Sequence, residues 1–252
     1  MAIWQDPRTT TDRSGGVNAA TIGVPTVARD AGLRSYMLSV YNYMASGVLL
    51  TGIVAMLFAP YAQDVLISAN GRGLSGLGWI VTLAPLAFVM IMSFGMNRIS
   101  TGTLQMLFWA FATVMGLSMS TVFIAYTGVS IAQTFFAVAA AFLGLSLYGY
   151  TTKRDLSGFG TFMIMGVVGL LVAMVINMFL KSPAMQLAIS AIGVLLFAGL
   201  TAYDTQKIKS MYFVVAGHGE AMAKSAIMGA LTLYIDFINM FLFLLRFMGD
   251  RR

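Results

Sequence analysis

The chain contains no cysteine, which excludes disulfides, thiolate metal sites and a cysteine nucleophile. Charged residues are scarce as well: they make up 10% of the 252 residues, whereas an average soluble domain has about 25%. Neither a P-loop nor a GxSxG pattern occurs. The single histidine, His218, lies in the polar stretch AGHGE, which is typical of a solvated turn, and one histidine alone cannot form a zinc site. Nothing in the sequence indicates an enzyme.

Apolar residues are abundant instead. They make up 59% of the chain, and the mean hydropathy is +0.84. This composition is that of an integral membrane protein. The net charge of +6 could also suggest a nucleic-acid partner. However, the basic residues punctuate the apolar runs as they do in positive-inside membrane loops, so we expect no nucleic-acid partner.

Seven apolar runs approach or exceed the roughly 20 residues that a membrane-spanning helix needs. The first six are uninterrupted, and glycines inside them favour close helix packing. The seventh contains Asp236. The runs are Tyr36–Pro60, Leu74–Met96, Leu104–Tyr126, Ile131–Tyr150, Phe159–Leu180, Pro183–Tyr203 and Ser225–Leu245. We therefore predict an all-α integral membrane protein with one compact transmembrane domain and long connections only at Gln63–Gly73 and Thr205–Ala223.

The basic residues predict the orientation. If the N-terminus is cytoplasmic, ten Lys and Arg residues lie on the cytoplasmic side, and only Arg72 and Lys181 lie in outer loops. Residues 1–35 are polar and lack the pattern of a cleaved signal peptide. We predict a flexible cytoplasmic tail over 1–35, with 30–35 leading into the first span, and a transmembrane domain over 36–249. The ten residues are Arg8, Arg13, Arg29, Arg34, Arg98, Lys153, Arg154, Lys207, Lys209 and Lys224.

The seventh run, which contains LYIDFINMFLFLL, leaves two alternatives open. If it spans, Arg246, Arg251 and Arg252 face outward, against the charge bias. If it enters and returns, the C-terminus is inside and the bias holds. The nine apolar residues after Asp236 reach only about half of the hydrocarbon core. Hydropathy does not decide between the two.

Two of the nine acidic residues stand apart from the tails and loops. Asp236 lies within an apolar run, and Asp204 directly follows the sixth. An ionisable residue inside a membrane is a candidate for function. Each also has a structural interpretation: Asp236 could be a hydrogen-bonded core carboxylate, and Asp204 could form a helix-end ion pair with Lys207.

Together the two aspartates suggest a mechanism. If they meet, one shared proton relieves their repulsion, and the pair titrates near neutral pH. The protonated pair would close a pore, whereas the ionised pair would open it and attract Ca²⁺. An ion pair between Arg98, at the cytoplasmic end of the second run, and Asp204 is geometrically allowed. The difficulty is depth: Asp204 is expected at the inner interface, whereas Asp236 lies about 16 Å along a helix that starts at Ser225.

The stretches FAGLTAYDTQKIK and ALTLYIDFINMFLFLLRFMG resemble the signatures of the Bax inhibitor-1 family, in particular its YccA-like bacterial branch. The resemblance covers Arg34–Gly249. It implies seven helices with the last surrounded by the other six, a pH-sensitive calcium leak, and no cofactor other than Ca²⁺ as permeant ion. It also implies that Asp204 and Asp236 form the pH sensor, where they would contact Ca²⁺ transiently, and that Arg98 bridges to it. The long segment between the aspartates matches the YccA-like branch.

Two functions follow as expectations. The first is a proton-sensitive cation leak, chiefly for Ca²⁺, in a bacterial inner membrane. The second is a membrane regulatory protein whose tail and loops contact a membrane-bound AAA protease, the partner that the resemblance implies, or another complex. In that case the aspartates only stabilise the last helix. Intramembrane proteolysis by the two aspartates is a formal alternative, but neither lies in a GxGD-like context.

Overall fold

A computed structural model describes residues 26–68 and 73–251, with side chains from residue 30 onward. Within these residues the chain forms seven α-helices and no strand; the only extended pairings are two isolated bridges, Ile67–Leu74 and Tyr126–Arg251. All seven helices are long and apolar enough to cross a membrane. They are α1 (Thr26–Leu66), α2 (Gly76–Gly95), α3 (Thr101–Ala125), α4 (Gly128–Thr151), α5 (Ser157–Leu180), α6 (Pro183–Val215) and α7 (Gly219–Met248).

Short polar residues begin four of these helices. Ser75, Ser100, Thr127 and Ser182 lie at the N-caps of α2, α3, α4 and α6. Each side-chain oxygen accepts a hydrogen bond from the backbone N–H three residues later, at 2.9 to 3.3 Å. Such caps satisfy donors that the first turn of a helix leaves unpaired. The helix starts are therefore encoded locally, next to apolar runs that are long enough to span.

Helix α7 is the centre of the bundle. In its most apolar stretch 67% of the residues are buried, against 39% or less in the other helices. It packs against α3, α4 and α6, while α5 packs on α6 and α2 packs on α3. Two hydrogen bonds join it to α1: Thr51 to Tyr234 at 2.7 Å and Tyr36 to Ser225 at 2.8 Å. The prediction of a seven-helix membrane bundle with a central last helix is confirmed.

Glycines allow the helices to approach closely at particular points. A Cβ atom at Gly116 of α3 would come within 2.8 Å of the Thr51 carbonyl oxygen of α1. A Cβ at Gly149 of α4 would collide with the backbone of Ala202 in α6. By contrast, a Cβ at Gly169 would meet no atom within 4 Å. The predicted packing role of glycine therefore holds at the helix crossings but not at every glycine within a span.

Three helices extend beyond the apolar runs that predicted them. Helix α1 begins at Thr26 rather than at Tyr36, α6 continues to Val215, and α7 already begins at Gly219. The long connection predicted between the sixth and seventh runs is therefore wrong, since only residues 216–218 lie outside helix. In the extension of α6, Ile208 and Tyr212 are buried four residues apart, whereas Lys207 and Ser210 are exposed. Hydropathy misses this amphipathic extension because it records lipid solubility and not helicity.

The length of α7 and the contacts just beyond its last residue show which end of the bundle it reaches. As one continuous helix of 30 residues, it extends about 45 Å, more than the roughly 30 Å hydrocarbon core. Beyond it, the Thr127 N–H donates to the Asp250 carbonyl oxygen at 3.1 Å, and the Asp250 N–H donates to Ser130 Oγ at 2.9 Å. Helix α7 therefore crosses the bundle and does not return.

Seven alternating helices give the bundle two ends. The α6–α7 end holds residues 96–100, 152–156 and 216–218, and the α3–α4 end holds residues 67–68, 73–75, 126–127, 181–182 and 249–251. Residues 1–25, most of the predicted tail, lie outside the described residues. The division into a tail over 1–35 and a domain over 36–249 stays a prediction.

Candidate functional site

Asp204 of α6 and Asp236 of α7 lie against each other. Their side chains are hydrogen-bonded, and the residues are only 8% and 3% exposed. A hydrogen bond between two carboxyl groups requires that one of them carries a proton, because two carboxylates are acceptors only. The contact between the two groups is therefore a hydrogen bond only while at least one of them is protonated.

The extension of α6 explains how the two aspartates meet. Helix α6 continues for eleven residues beyond Asp204, so Asp204 lies inside the helix hairpin and not at its mouth. The contacts of Gln206, two residues after Asp204, show the depth of this part of α6. The Gln206 Nε2 atom donates to the Arg154 carbonyl oxygen at 2.8 Å, and its Oε1 atom accepts from the Leu156 N–H at 2.9 Å. Asp204 thus lies less than one helical turn inside the α4–α5 connection. The mismatch in depth expected from the sequence arose from ending α6 too early.

Asp236 is incompletely satisfied. Within the described part of the chain, its Oδ2 atom is buried and has no hydrogen-bond partner apart from the Asp204 carboxyl group; Thr101 Oγ1 is the other buried side-chain atom there without a partner. Leaving a buried polar atom unpaired is unfavourable, by roughly 1–3 kcal/mol and more for a charged group. A carboxylate retained at such a position calls for a functional explanation.

A cavity of about 220 Å³ leads from the α6–α7 end to Asp204. On α6 its lining descends from Val215 to Asp204, and on α7 it descends from Ser225 to Thr232. Asp236 is one helical turn beyond Thr232, so the aspartate pair lies at the inner end of the cavity. The lining residues are Tyr36, Met96, Asp204, Lys207, Ile208, Met211, Val215, Ser225, Met228, Gly229 and Thr232.

Aromatic side chains pack around α7 beside and beyond the pair. Tyr234 is fully buried, and its ring lies 5.1 Å from that of Phe111. Phe237, which follows Asp236, lies 5.6 Å from Phe142 and 5.7 Å from Phe135, measured between ring centroids. These rings pack beside and beyond the pair, on its α3–α4 side. The aspartate pair therefore lies between the inner end of the cavity and these aromatic rings.

Lys207 is the cation that acts on the pair. It lies three residues after Asp204, lines the same cavity and interacts electrostatically with the Asp204 carboxyl group. Arg98 is exposed in the turn between α2 and α3, where its N–H donates to the Gly95 carbonyl oxygen at 2.8 Å. Over residues 26–68 and 73–251, the one salt bridge joins Lys224 to Glu220, so Arg98 does not pair with Asp204 in this conformation.

Sequence reasoning missed the polar lining of the cavity. Tyr36 of α1 hydrogen-bonds to Ser225 of α7 at 2.8 Å and lines the cavity with it. No sequence pattern links these two positions, because the contact joins distant helices. Thr232 could have been found, since residues four apart share a helix face and Asp236 was already singled out.

The site has few ligands for a resident metal. In the described ranges, no three or more His, Asp and Glu side chains lie close enough together to hold an ion. Ca²⁺ takes six to eight oxygen ligands, so at this pair it would keep most of its water. His218 is exposed at the N-cap of α7, as the sequence predicted for a solvated turn.

Similarity to known proteins extends over almost the whole chain. A family model described as "Inhibitor of apoptosis-promoting Bax1" matches residues 33–252. The inner membrane protein YbhL of Escherichia coli K12 is 46% identical over 224 residues, which are 88% of this chain and 94% of that protein. Uncharacterized proteins of Caulobacter vibrioides and Rickettsia prowazekii are each 47% identical; they cover 88% of this chain and 91% and 92% of their own lengths. The matched region includes both aspartates and Arg98.

Proposed function

Because the chain belongs to the Bax inhibitor-1 family, we propose that it is a pH-sensitive cation leak, chiefly for Ca²⁺, gated by Asp204 and Asp236. Its seven candidate spans and its similarity to an inner membrane protein of Escherichia coli support a multi-pass protein of a bacterial inner membrane. One observation carries the proposal: two buried carboxyl groups share a hydrogen bond at the inner end of a cavity that opens at the α6–α7 end. The positive-inside pattern favours the cytoplasm for that end.

The shared proton sets the state of the gate. With the proton present, the hydrogen bond holds α6 and α7 together at this level. When the proton leaves, two negative charges remain in contact; at about 4 Å and an effective dielectric constant of about 20, they repel by roughly 4 kcal/mol. The repulsion separates α6 from α7 beside the Phe237 ring and extends the cavity toward the α3–α4 end.

The ionised pair also provides selectivity. Carboxylate oxygens are hard ligands that suit Ca²⁺. The hydroxyl groups of Ser225 and Thr232 line the approach. Two carboxylates are too few to retain a dehydrated Ca²⁺, so the ion passes with much of its water. A site that holds Ca²⁺ this weakly favours passage of the ion over its stable binding.

Two basic residues would modulate the pair. Lys207 already lies beside Asp204 and stabilises its charged form. The role of Arg98 as a bridge to the sensor stays a prediction, since the turn between α2 and α3 would have to move to bring it there. Met96, two residues before Arg98, lines the cavity.

The test is Ca²⁺ flux into proteoliposomes over a pH series through neutrality. We expect flux through the wild type to rise with pH, because loss of the shared proton opens the gate. Asp204→Asn and Asp236→Asn should each flatten that dependence, since an amide cannot titrate. Asp155→Asn is the matched control: Asp155 is exposed at the same end of the bundle, and its variant should follow the wild type. A wild type that passes no more Ca²⁺ than protein-free vesicles at any pH overturns the proposal.

The regulatory alternative depends on the N-terminal tail, most of which lies outside the described residues. Deleting residues 1–30 separates the two functions. A leak keeps its flux after the deletion, whereas a regulator of a membrane-bound AAA protease loses its activity.

A further inference from the structure

A second cavity lies between α1 and α4, with α3 and α7 forming its floor, and we call it the α1–α4 crevice. Its volume is about 420 Å³, within the range of about 300–1,000 Å³ of sites that bind small molecules. Thr51 supplies the one polar side chain of the lining, and its hydroxyl group is already bonded to Ala112 O and Tyr234 Oη. The lining comprises Val48, Thr51, Gly52, Ala55, Met56, Met119, Val122, Phe123, Gly128, Ile131, Ala132, Phe135, Phe136, Phe237, Ile238 and Phe241.

The crevice opens sideways toward the bilayer. At its rim, Met56 of α1 is 59% exposed and Phe136 of α4 is 71% exposed, whereas Phe237 and Phe241 on its floor are buried. On α1 and on α4 the lining extends over nine residues, or about 12 Å of helix. That is less than half of the roughly 30 Å hydrocarbon core. The crevice therefore lies within the depth of one leaflet.

A positive charge lies at the end of the crevice nearest the membrane surface. Gly128, the first residue of α4, is part of the lining, and the preceding Tyr126 pairs with Arg251 in an isolated bridge. The Arg251 guanidinium lies 6.0 Å from the centroid of the Tyr126 ring. Within the described part of the chain, no carboxylate forms a salt bridge with it. The first turn of α4 is already occupied by an anionic group, because Ser130 Oγ donates to the Asp250 Oδ2 atom at 3.5 Å.

We propose that the α1–α4 crevice binds one phospholipid, with an acyl chain between α1 and α4 and the phosphate group at Arg251. At this depth the surrounding solvent is lipid, and the apolar lining matches a hydrocarbon chain. The cation at the surface end matches the phosphate in charge. A helix of a second protein is about 10–12 Å across with its side chains, too wide for a crevice of this volume.

Gly52 provides the decisive variant. It lines the crevice, and a Cβ at this position meets no heavy atom within 4 Å, so the side chain of Gly52→Leu can start there without a clash and occupy the crevice. Gly144→Leu is the matched control, because Gly144 is also exposed, also meets no atom within 4 Å and lies outside the crevice. Both changes replace glycine in a helix by a better helix former. Neither should unfold the protein.

The measurement is native mass spectrometry of the full chain after reconstitution with phosphatidylglycerol and stepwise delipidation. We expect the wild type and Gly144→Leu to retain one phospholipid and Gly52→Leu to lose it, with retention reduced about tenfold or more. Arg251→Gln should reduce retention of phosphatidylglycerol but not that of diacylglycerol with the same chains. Equal retention by Gly52→Leu and Gly144→Leu overturns the acyl-chain site. Equal effects of Arg251→Gln on both lipids overturn the phosphate site.

Discussion

At the scale of single residues, the polar side chains inside this bundle mostly bond to one another or to backbone carbonyl groups. Thr205 donates to the Thr201 carbonyl oxygen at 2.7 Å and lies 3.0 Å from the Ser146 hydroxyl group. Thr201 in turn donates to the Phe197 carbonyl oxygen at 2.8 Å. Against this background, Asp236 is an exception, because its buried Oδ2 atom has no partner apart from the Asp204 carboxyl group. Exceptions of this kind mark sites where stability gives way to function.

The sequence identified both aspartates but not their contact. Asp236 was recognisable because a carboxylate within an apolar run is unfavourable without a purpose. The hydrogen bond to Asp204 depends on how far α6 extends, which local hydropathy does not record. The side-chain direction of Arg98 was equally unreadable, since a positive-inside arginine can face water or the bundle.

The hydroxyl pair Thr51–Tyr234 tests the energetics of burial. Thr51→Val leaves the fully buried Tyr234 hydroxyl group without its 2.7 Å partner and should destabilise the protein by about 1–3 kcal/mol. Tyr234→Phe should destabilise the protein less than Thr51→Val, because Thr51 still donates to the Ala112 carbonyl oxygen at 2.8 Å. Thermal unfolding in detergent measures both. A larger loss for Tyr234→Phe than for Thr51→Val contradicts this assignment of the hydrogen bonds.

Asp155 provides a pH prediction outside the membrane. Hydrogen bonds from the Ser157 hydroxyl and N–H groups, at 2.6 and 2.9 Å, lower the pKa of Asp155 below its usual 3.8. A lowered pKa in the folded state means that this contribution to stability is present above pH 3.8 and is lost as the pH falls through the folded-state pKa. Carboxyl titration by NMR should show the low pKa, and Ser157→Ala should raise it. An unchanged pKa in Ser157→Ala would show that the hydroxyl group plays no part.

At the scale of helices, hydropathy located all seven spans, but helix ends were less accurate. Apolar runs gave the number and order of the helices because the bilayer requires about 20 apolar residues for each crossing. The ends of α1, α6 and α7 lie beyond the apolar runs, where polar residues continue the helix. The α6–α7 hairpin is consequently longer than predicted, and that added length brings the two aspartates together.

The crossing of α4 and α6 depends on Gly149. Gly149→Leu would drive a side chain into the Ala202 backbone and should lower the melting temperature, with a cost of about 1–3 kcal/mol from overpacking. Gly144→Leu on the same helix meets no atom within 4 Å and should leave the melting temperature unchanged or raise it. Thermal unfolding of the two variants in the same detergent makes the comparison. Equal melting temperatures would mean that α4 and α6 do not approach closely at this point.

At the scale of the whole molecule, α7 crosses the bundle and places the α6–α7 connection and the C-terminus at opposite ends. The natural absence of cysteine makes this testable by single-cysteine labelling. With a membrane-impermeant maleimide applied to spheroplasts, Arg251→Cys should react, and Ala216→Cys should react only after permeabilisation. Labelling of both positions from one side would show that α7 does not cross. The opposite pattern would keep the fold and reverse the proposed orientation.

The central claim is that Asp204 and Asp236 share a proton whose loss opens the leak. Infrared spectroscopy of the protein in liposomes detects the carbonyl stretching band of a protonated carboxylic acid, and Ca²⁺ flux can be recorded in the same vesicles during a pH titration. The account predicts that the band disappears over the pH range in which flux rises and that Asp236→Asn abolishes both changes. A band that persists while flux rises, or flux that rises with pH in Asp236→Asn as in the wild type, would contradict it.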